Sequence, residues 1–112
     1  MGRLDLVDRI RWHTEKGEYP GWDVTSFDEN GQEIFIEVKS SVGKNISCVD
    51  LTANEWNAAG NKRNCERYFI YIVTNALSES PTIEKMRNPF GFVSNNELQL
   101  EPIVYELSLS AK

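Results

Sequence analysis

The chain has 112 residues, 40% of them hydrophobic, so it can form one domain with a modest core, and we expect a single domain over residues 1–112. A formal net charge of -5 argues against a freestanding protein that binds nucleic acid by bulk electrostatics, although a local basic patch is compatible with that charge. No apolar run approaches the roughly 18 residues that a membrane span needs, so we expect no membrane association.

The N-terminal part predicts a short turn and one strand. Residues 3–8 fit a helical turn, and residues 9–14 alternate in polarity, which is typical of a half-buried strand. The alternation predicts that Ile10 and Trp12 share the buried side. His13, the only histidine, is expected to have a surface or hydrogen-bonded structural role.

Residues 22–27 and 33–40 predict two strands of a hairpin whose register follows from the hydrophobic pattern. A three-residue loop over residues 29–31, with its glycine in the left-handed conformation, places Val24 opposite Ile36. A two-residue loop would mix apolar and polar residues on each face, which register rules disfavour. The pattern therefore favours the three-residue loop.

The stretch "LTANEWNAAGNKRN" predicts a helix. Thr52 and Glu55 have the spacing of a capping box, in which each side chain satisfies a free backbone N–H of the first turn. Ala53 and Trp56 are expected to face inward, and Gly60 to limit the helix.

The remaining segments complete one mixed sheet. "RYFIYIVTN" is apolar on both faces and predicts an interior strand, whereas "PIVYELSLS" predicts a last strand. "NALSESPTIEK" and "NPFGFVSNNE" are expected to be polar loops. The fold class is α/β or α+β. All three tryptophans are expected in the core: Trp12, Trp22 and Trp56.

The predicted hairpin register creates the candidate site. Asp23 lies opposite Glu37, and Lys39 follows on the same face, whereas the opposite face, with three branched aliphatic residues, is expected to be the core face. Two carboxylates about 5 Å apart at Cβ repel each other unless a cation lies between them. Oxygen ligands select Mg²⁺ or Mn²⁺, and such a site suits phosphodiester hydrolysis. The alternative is a solvated cross-strand charge pair of Glu37 and Lys39.

At these residues the sequence resembles the PD-(D/E)XK nuclease superfamily, which has the restriction-endonuclease-like fold. More narrowly, it resembles the nuclease-like domain of unknown function at the C-terminus of the plant NO VEIN protein. The matching pieces are "GWDVTSFDENGQEIFIEVKSS", "LTANEW", "YFIYIVTN" and "NPF". The resemblance implies that Asp23, Glu37 and the backbone carbonyl of Val38 bind the metal and that Lys39 is the catalytic lysine.

One departure from the family pattern concerns the first core helix, which family members usually have and which often carries a glutamate of the site. Only a short turn and a strand are expected before Asp23, so that helix is shortened or absent. Four explanations stay open: Glu15 or Glu18 compensates, a partner supplies the helix, the chain is a fragment, or the site is incomplete.

The sequence therefore predicts a metal-dependent, DNA endonuclease-like domain within a restriction, DNA-processing or defence assembly. The alternatives are a catalytically inactive module of the same fold that binds protein or nucleic acid, and a defence-associated partner that uses the fold only as a scaffold. DNA is the expected partner, with a protein partner or a homodimer as further possibilities. Four basic residues either contact phosphates or form a solvated rim: Lys44, Lys62, Arg63 and Arg67.

The two cysteines, Cys48 and Cys65, form no CxxC pair and have no histidine cluster nearby, which argues against zinc and favours a reducing compartment. The charged N-terminus does not resemble a secretory signal, so we expect a cytoplasmic protein.

Overall fold

The computed structural model describes residues 9–13, 17–105 and 107–109. These residues form an α+β fold with one five-stranded mixed sheet, as predicted, in the order β1-β2-β3-β4-β5. The β3–β4 pair is parallel, and the other neighbouring pairs are antiparallel. The elements are β1 (Arg11–Trp12), β2 (Val24–Phe27), β3 (Glu33–Ser40), α1 (Ala53–Gly60), β4 (Tyr68–Thr74), β5 (Thr82–Arg87) and α2 (Pro89–Ser94).

The predicted hairpin register is confirmed. Val24 pairs with Ile36, and the N–H of Asp28 donates to the C=O of Gln32 at 2.9 Å, which closes a three-residue loop. Gly31 ends that loop with a φ of 81°, a conformation that costs glycine no steric strain. The loop thus fixes which residues of β2 and β3 lie opposite each other.

The predicted core face of β3 is wrong. The main core cluster consists of Phe35, Ala59, Tyr68 and Ile70, and it lies on the face of β3 that the pattern assigned to solvent. A parallel strand pair needs a crossover connection, and here α1 is part of it and covers this face. Alternation along one strand shows that two faces differ, but it does not show which face the crossover helix covers.

The opposite face of the sheet is partly buried as well. Val24 and Ile36 are buried there, whereas Val38 on the same face is exposed. Strand β4 is an interior strand as predicted, and its residues are buried or half-buried on both faces.

Helix α1 begins and ends where the sequence predicted. Thr52 caps it, the reciprocal capping box with Glu55 is present, and Gly60 is its last residue. Ala53 is exposed rather than inward-facing, and Ala59 is the fully buried residue of the helix. Trp56 packs against the core as expected.

The C-terminal third differs from the prediction. Most of strand β5 lies in a predicted loop, because its exposed, charged residues hide the alternating pattern of a strand. Helix α2 lies in the other predicted loop and is capped by the side chain of Asn88, which accepts from the N–H of Gly91. The predicted last strand is wrong: residues 101–105 and 107–109 contain no strand.

The N-terminal strand is shorter than predicted, and its buried and exposed sides are the reverse of those predicted. β1 has two residues, Trp12 is 53% exposed, and His13 is the buried residue. Of the three tryptophans, Trp22 and Trp56 pack against the core and Trp12 does not. The predicted turn at residues 3–8 lies outside the described residues, and residues 9–13 and 17–22 contain no α-helix. None of the described helices has the length and apolar character needed to cross a bilayer.

Candidate functional site

The hairpin holds Asp23 against β3, just where the regular pairing of β2 ends. The backbone N–H of Asp23 donates to the C=O of Ile36 at 2.9 Å. The N–H of Val38 in turn donates to Oδ2 of Asp23 at 2.9 Å. The carboxylate of Asp23 therefore takes the place of a strand partner for β3, and Asp23 lines the same cavity as Glu37. The regular pairing ends at Val24 and Ile36, so the predicted pair of Asp23 with Glu37 is not part of the ladder.

Glu37 is a buried carboxylate beneath the N-terminal part of α1. It is 3% exposed, and its Oε2 accepts from Nζ of Lys39 at 3.2 Å. Its Oε1 is buried and has no hydrogen-bond partner. Burial raises the pKa of Glu37 to about 7, the negative charges of Asp23 and Glu55 add to the rise, and the ammonium of Lys39 opposes it.

Lys39 links the sheet to α1. Its Nζ donates to Oε2 of Glu37 at 3.2 Å and to Oε1 of Glu55 at 3.1 Å. Burial alone lowers the pKa of Lys39, but its hydrogen bonds to Glu55 and Glu37 raise it above the usual value. The ammonium group is therefore protonated at neutral pH.

Glu55 belongs to the site, although the sequence analysis assigned it only to the capping box. Its Oε1 accepts from the N–H of Thr52 at 3.0 Å as well as from Lys39. The sequence did contain a signal that could have placed Glu55 at the site. The helix that follows β3 in a parallel crossover starts near the carboxyl end of that strand, where ligand sites of α/β sheets also lie. The capping box fixes Glu55 in the first turn of that helix, on the side of Lys39.

Asp23, Glu37 and Glu55 border a cavity of about 190 Å³ between the sheet and the first turn of α1. Four acidic residues line it, together with uncharged neighbours: Glu18, Asp23, Glu37 and Glu55, with Tyr19, Gly21, Trp22, Thr52 and Asn54. The hydroxyl of Tyr68 donates to the C=O of Gly21 at 2.6 Å and holds the loop that forms one wall. The cavity is therefore acidic and of a size for a hydrated cation.

The donor atoms fit a hard divalent cation. Glu37 offers a buried oxygen without a partner, and Asp23 offers a second carboxylate beside it. The N–H and C=O of one strand residue point to the same side, so the C=O of Val38 faces the side of β3 where Asp23 lies. Within residues 9–13, 17–105 and 107–109, no group of three or more His, Cys, Asp or Glu side chains is arranged to hold a metal ion. A cation here would have two carboxylates, one carbonyl and water as ligands.

The described residues place Glu18 at this cavity, whereas Glu15 lies outside them. Oε1 of Glu18 lies 2.7 Å from Nδ1 of His13, and Nε2 of His13 lies 2.6 Å from Oγ1 of Thr25. Trp22 donates to the same hydroxyl at 2.8 Å, so Thr25 is satisfied when it donates its own proton to His13. His13 is thus a buried, hydrogen-bonded structural residue, as expected.

The predicted basic rim is solvent-exposed. Lys44, Lys62, Arg63 and Arg67 are all exposed. Their exposure is compatible with both interpretations that the sequence left open.

Comparison with known families assigns most of the chain. The family model described as "Protein NO VEIN, C-terminal" matches residues 2–87, which include every residue that lines the cavity and end with β5. Neither curated proteins nor solved structures gave a match.

Proposed function

The chain belongs to the NO VEIN C-terminal family, and we propose that its acidic cavity is the metal site of a phosphodiesterase of the DNA endonuclease type. The observation that carries this proposal is the buried, unpartnered Oε1 of Glu37, with the carboxylate of Asp23 beside it and the ammonium of Lys39 alongside. This is the residue set of the PD-(D/E)XK nucleases, to which the sequence bears a resemblance.

Asp23, Glu37 and the carbonyl of Val38 are the proposed ligands of Mg²⁺ or Mn²⁺. Bound there, the ion supplies Lewis acidity, which polarises a phosphoryl oxygen and lowers the pKa of a bound water. Burial of Glu37 excludes bulk water from one side of the cavity, which strengthens every charge interaction inside it.

Lys39 is proposed to stabilise negative charge on the reacting phosphate. Two carboxylates hold its ammonium group in place, so little reorganisation is needed when that charge develops. Its raised pKa favours this electrostatic role over the alternative of a general base, which needs a neutral amine.

DNA binding is proposed to depend on a larger assembly for restriction, DNA processing or defence. A small domain with a net charge of -5 has few cations to offer to the phosphate backbone. A partner protein or a second copy would supply the missing contact surface.

Cleavage of plasmid and single-stranded DNA with Mg²⁺ or Mn²⁺ tests the proposal. Asp23→Asn and Lys39→Ala are the test variants, and Arg11→Ala, which removes an exposed cation of β1 outside the cavity and outside the basic rim, is the control. The proposal expects cutting that a chelator abolishes, that both test variants lose and that the control keeps. Equal cutting by all four proteins would show a contaminating nuclease and would contradict the assignment.

A second candidate is the catalytically inactive module. It is favoured by the ion pairs of Lys39 with two carboxylates, which neutralise part of the acidic charge without a metal, and by the lack of a three-residue metal group among the described residues. Calorimetric titration with Mg²⁺ separates the two candidates. Binding that Asp23→Asn abolishes supports the enzyme, whereas no heat of binding supports the inactive module.

A further inference from the structure

The C-terminal segment, residues 97–105 and 107–109, exposes a series of large apolar side chains. Ile103, Tyr105, Leu107 and Leu109 are 65%, 82%, 84% and 93% exposed. The last backbone hydrogen bond along the described chain runs from the N–H of Leu98 to the C=O of Phe92. Beyond Leu98, the described residues of this segment therefore make no backbone hydrogen bond, and their large apolar side chains lack cover.

The outer edge of β5 also has backbone groups without partners. β5 pairs with β4 on one side, and no strand of the described residues pairs with its other side. Along such an edge, alternate N–H and C=O groups point outward without partners, which makes it a template for another strand. Ile83 adds an exposed apolar side chain to this strand.

We propose that the C-terminal segment of one copy adds as a strand to the outer edge of β5 in a second copy, which gives a closed two-fold dimer. The segment has the period-two apolar pattern of a strand, at Ile103, Tyr105, Leu107 and Leu109. When each copy places its segment on the β5 edge of the other, the backbone groups of both edges and both segments gain partners, as in other strand-addition interfaces.

The position and charge of the two elements support this arrangement. The family match ends with β5, so the segment follows the matched domain and is free to serve as an assembly element. Strand β5 carries Lys85 and Arg87 against one glutamate, whereas the segment carries Glu97 and Glu101, so the two elements are of opposite net charge. The proposal is independent of the proposed nuclease function.

Sedimentation equilibrium of the full chain, with hydrogen exchange of the β5 amides, tests the proposal. The test variant is Leu107→Glu, and the control is Val42→Glu, which alters an exposed residue of the loop between β3 and α1. Both side chains are exposed in a single chain, so neither change should disturb the fold.

We expect a dimer in which the outward amides of β5 are protected, with a dissociation constant raised at least about tenfold in Leu107→Glu and unchanged in Val42→Glu. A monomer with unprotected β5 amides would overturn the proposal. A monomer with protected amides would overturn it too, since each chain would then pair with its own segment. A dimer that tolerates Leu107→Glu would show that another surface forms the interface.

Discussion

Replacing Glu37 with glutamine should stabilise the metal-free protein at alkaline pH. Burial raises the pKa of Glu37 from 4.5 to about 7, and the charges of Asp23 and Glu55 contribute to the rise. Because the folded-state pKa lies above the unfolded-state value, the stabilising contribution is complete below the unfolded value and is lost as the pH rises through the folded value. The free energy of unfolding should therefore fall between about pH 4.5 and pH 7.

The size of the effect follows from that difference in pKa. At 1.36 kcal/mol for each tenfold change in proton affinity, ionising Glu37 in the folded state costs about 3 kcal/mol. Glutamine has nearly the same shape and no charge. Like the protonated carboxyl, it can accept from Lys39 and leaves a buried polar atom unpartnered. The variant should match the wild type near pH 4.5 and exceed its stability by about 3 kcal/mol near pH 8.

Urea unfolding, followed by tryptophan fluorescence in the presence of a chelator at both pH values, measures this difference. Glu33→Gln is the matched control, because Glu33 is an exposed carboxylate on the same strand. The control should change the free energy of unfolding by less than about 0.5 kcal/mol. A Glu37→Gln protein that is no more stable than the wild type near pH 8 would refute the reasoning, because the ionised carboxylate would then carry no penalty for a cation to relieve.

Three further predictions concern the same cavity and its walls. Mg²⁺ at about 100 times its Kd should raise the free energy of unfolding of the wild type by about 2.7 kcal/mol near pH 8. The same Mg²⁺ concentration should leave the free energy of unfolding of Asp23→Asn unchanged, as scanning calorimetry can measure. Thr52→Ala should cost about 1 kcal/mol in urea unfolding, because it removes the cap of α1, while Thr52→Ser should retain most of the stability. Gly21→Ala should cost about 3 kcal/mol or more, because Gly21 has a φ of 109° and an added Cβ would lie 2.6 Å from Cβ of Ala58. An unchanged urea midpoint for Thr52→Ala would contradict the capping argument, and an unchanged midpoint for Gly21→Ala would contradict the close-packing argument.

Local signals determined the parts of the site that lie within one hairpin or one helix end. The glycine of the loop and the alternation of apolar residues fixed the pairing of Val24 with Ile36, and this register brought Asp23 to the backbone of Val38. The capping box likewise fixed the start of α1 at Thr52. Such features depend on residues close in sequence or on one strand pair, so the sequence by itself was sufficient to predict them.

Long-range packing decided the rest. Only the fold shows that α1 covers the Glu37 face of β3, which buries that carboxylate, raises its pKa and brings Glu55 to Lys39. The placement of β5 and the lack of a final strand among the described residues have the same origin, since edge position and available partners override strand propensity. Periodicity shows that a strand has two different faces, whereas the elements that pack against the strand determine which face is buried.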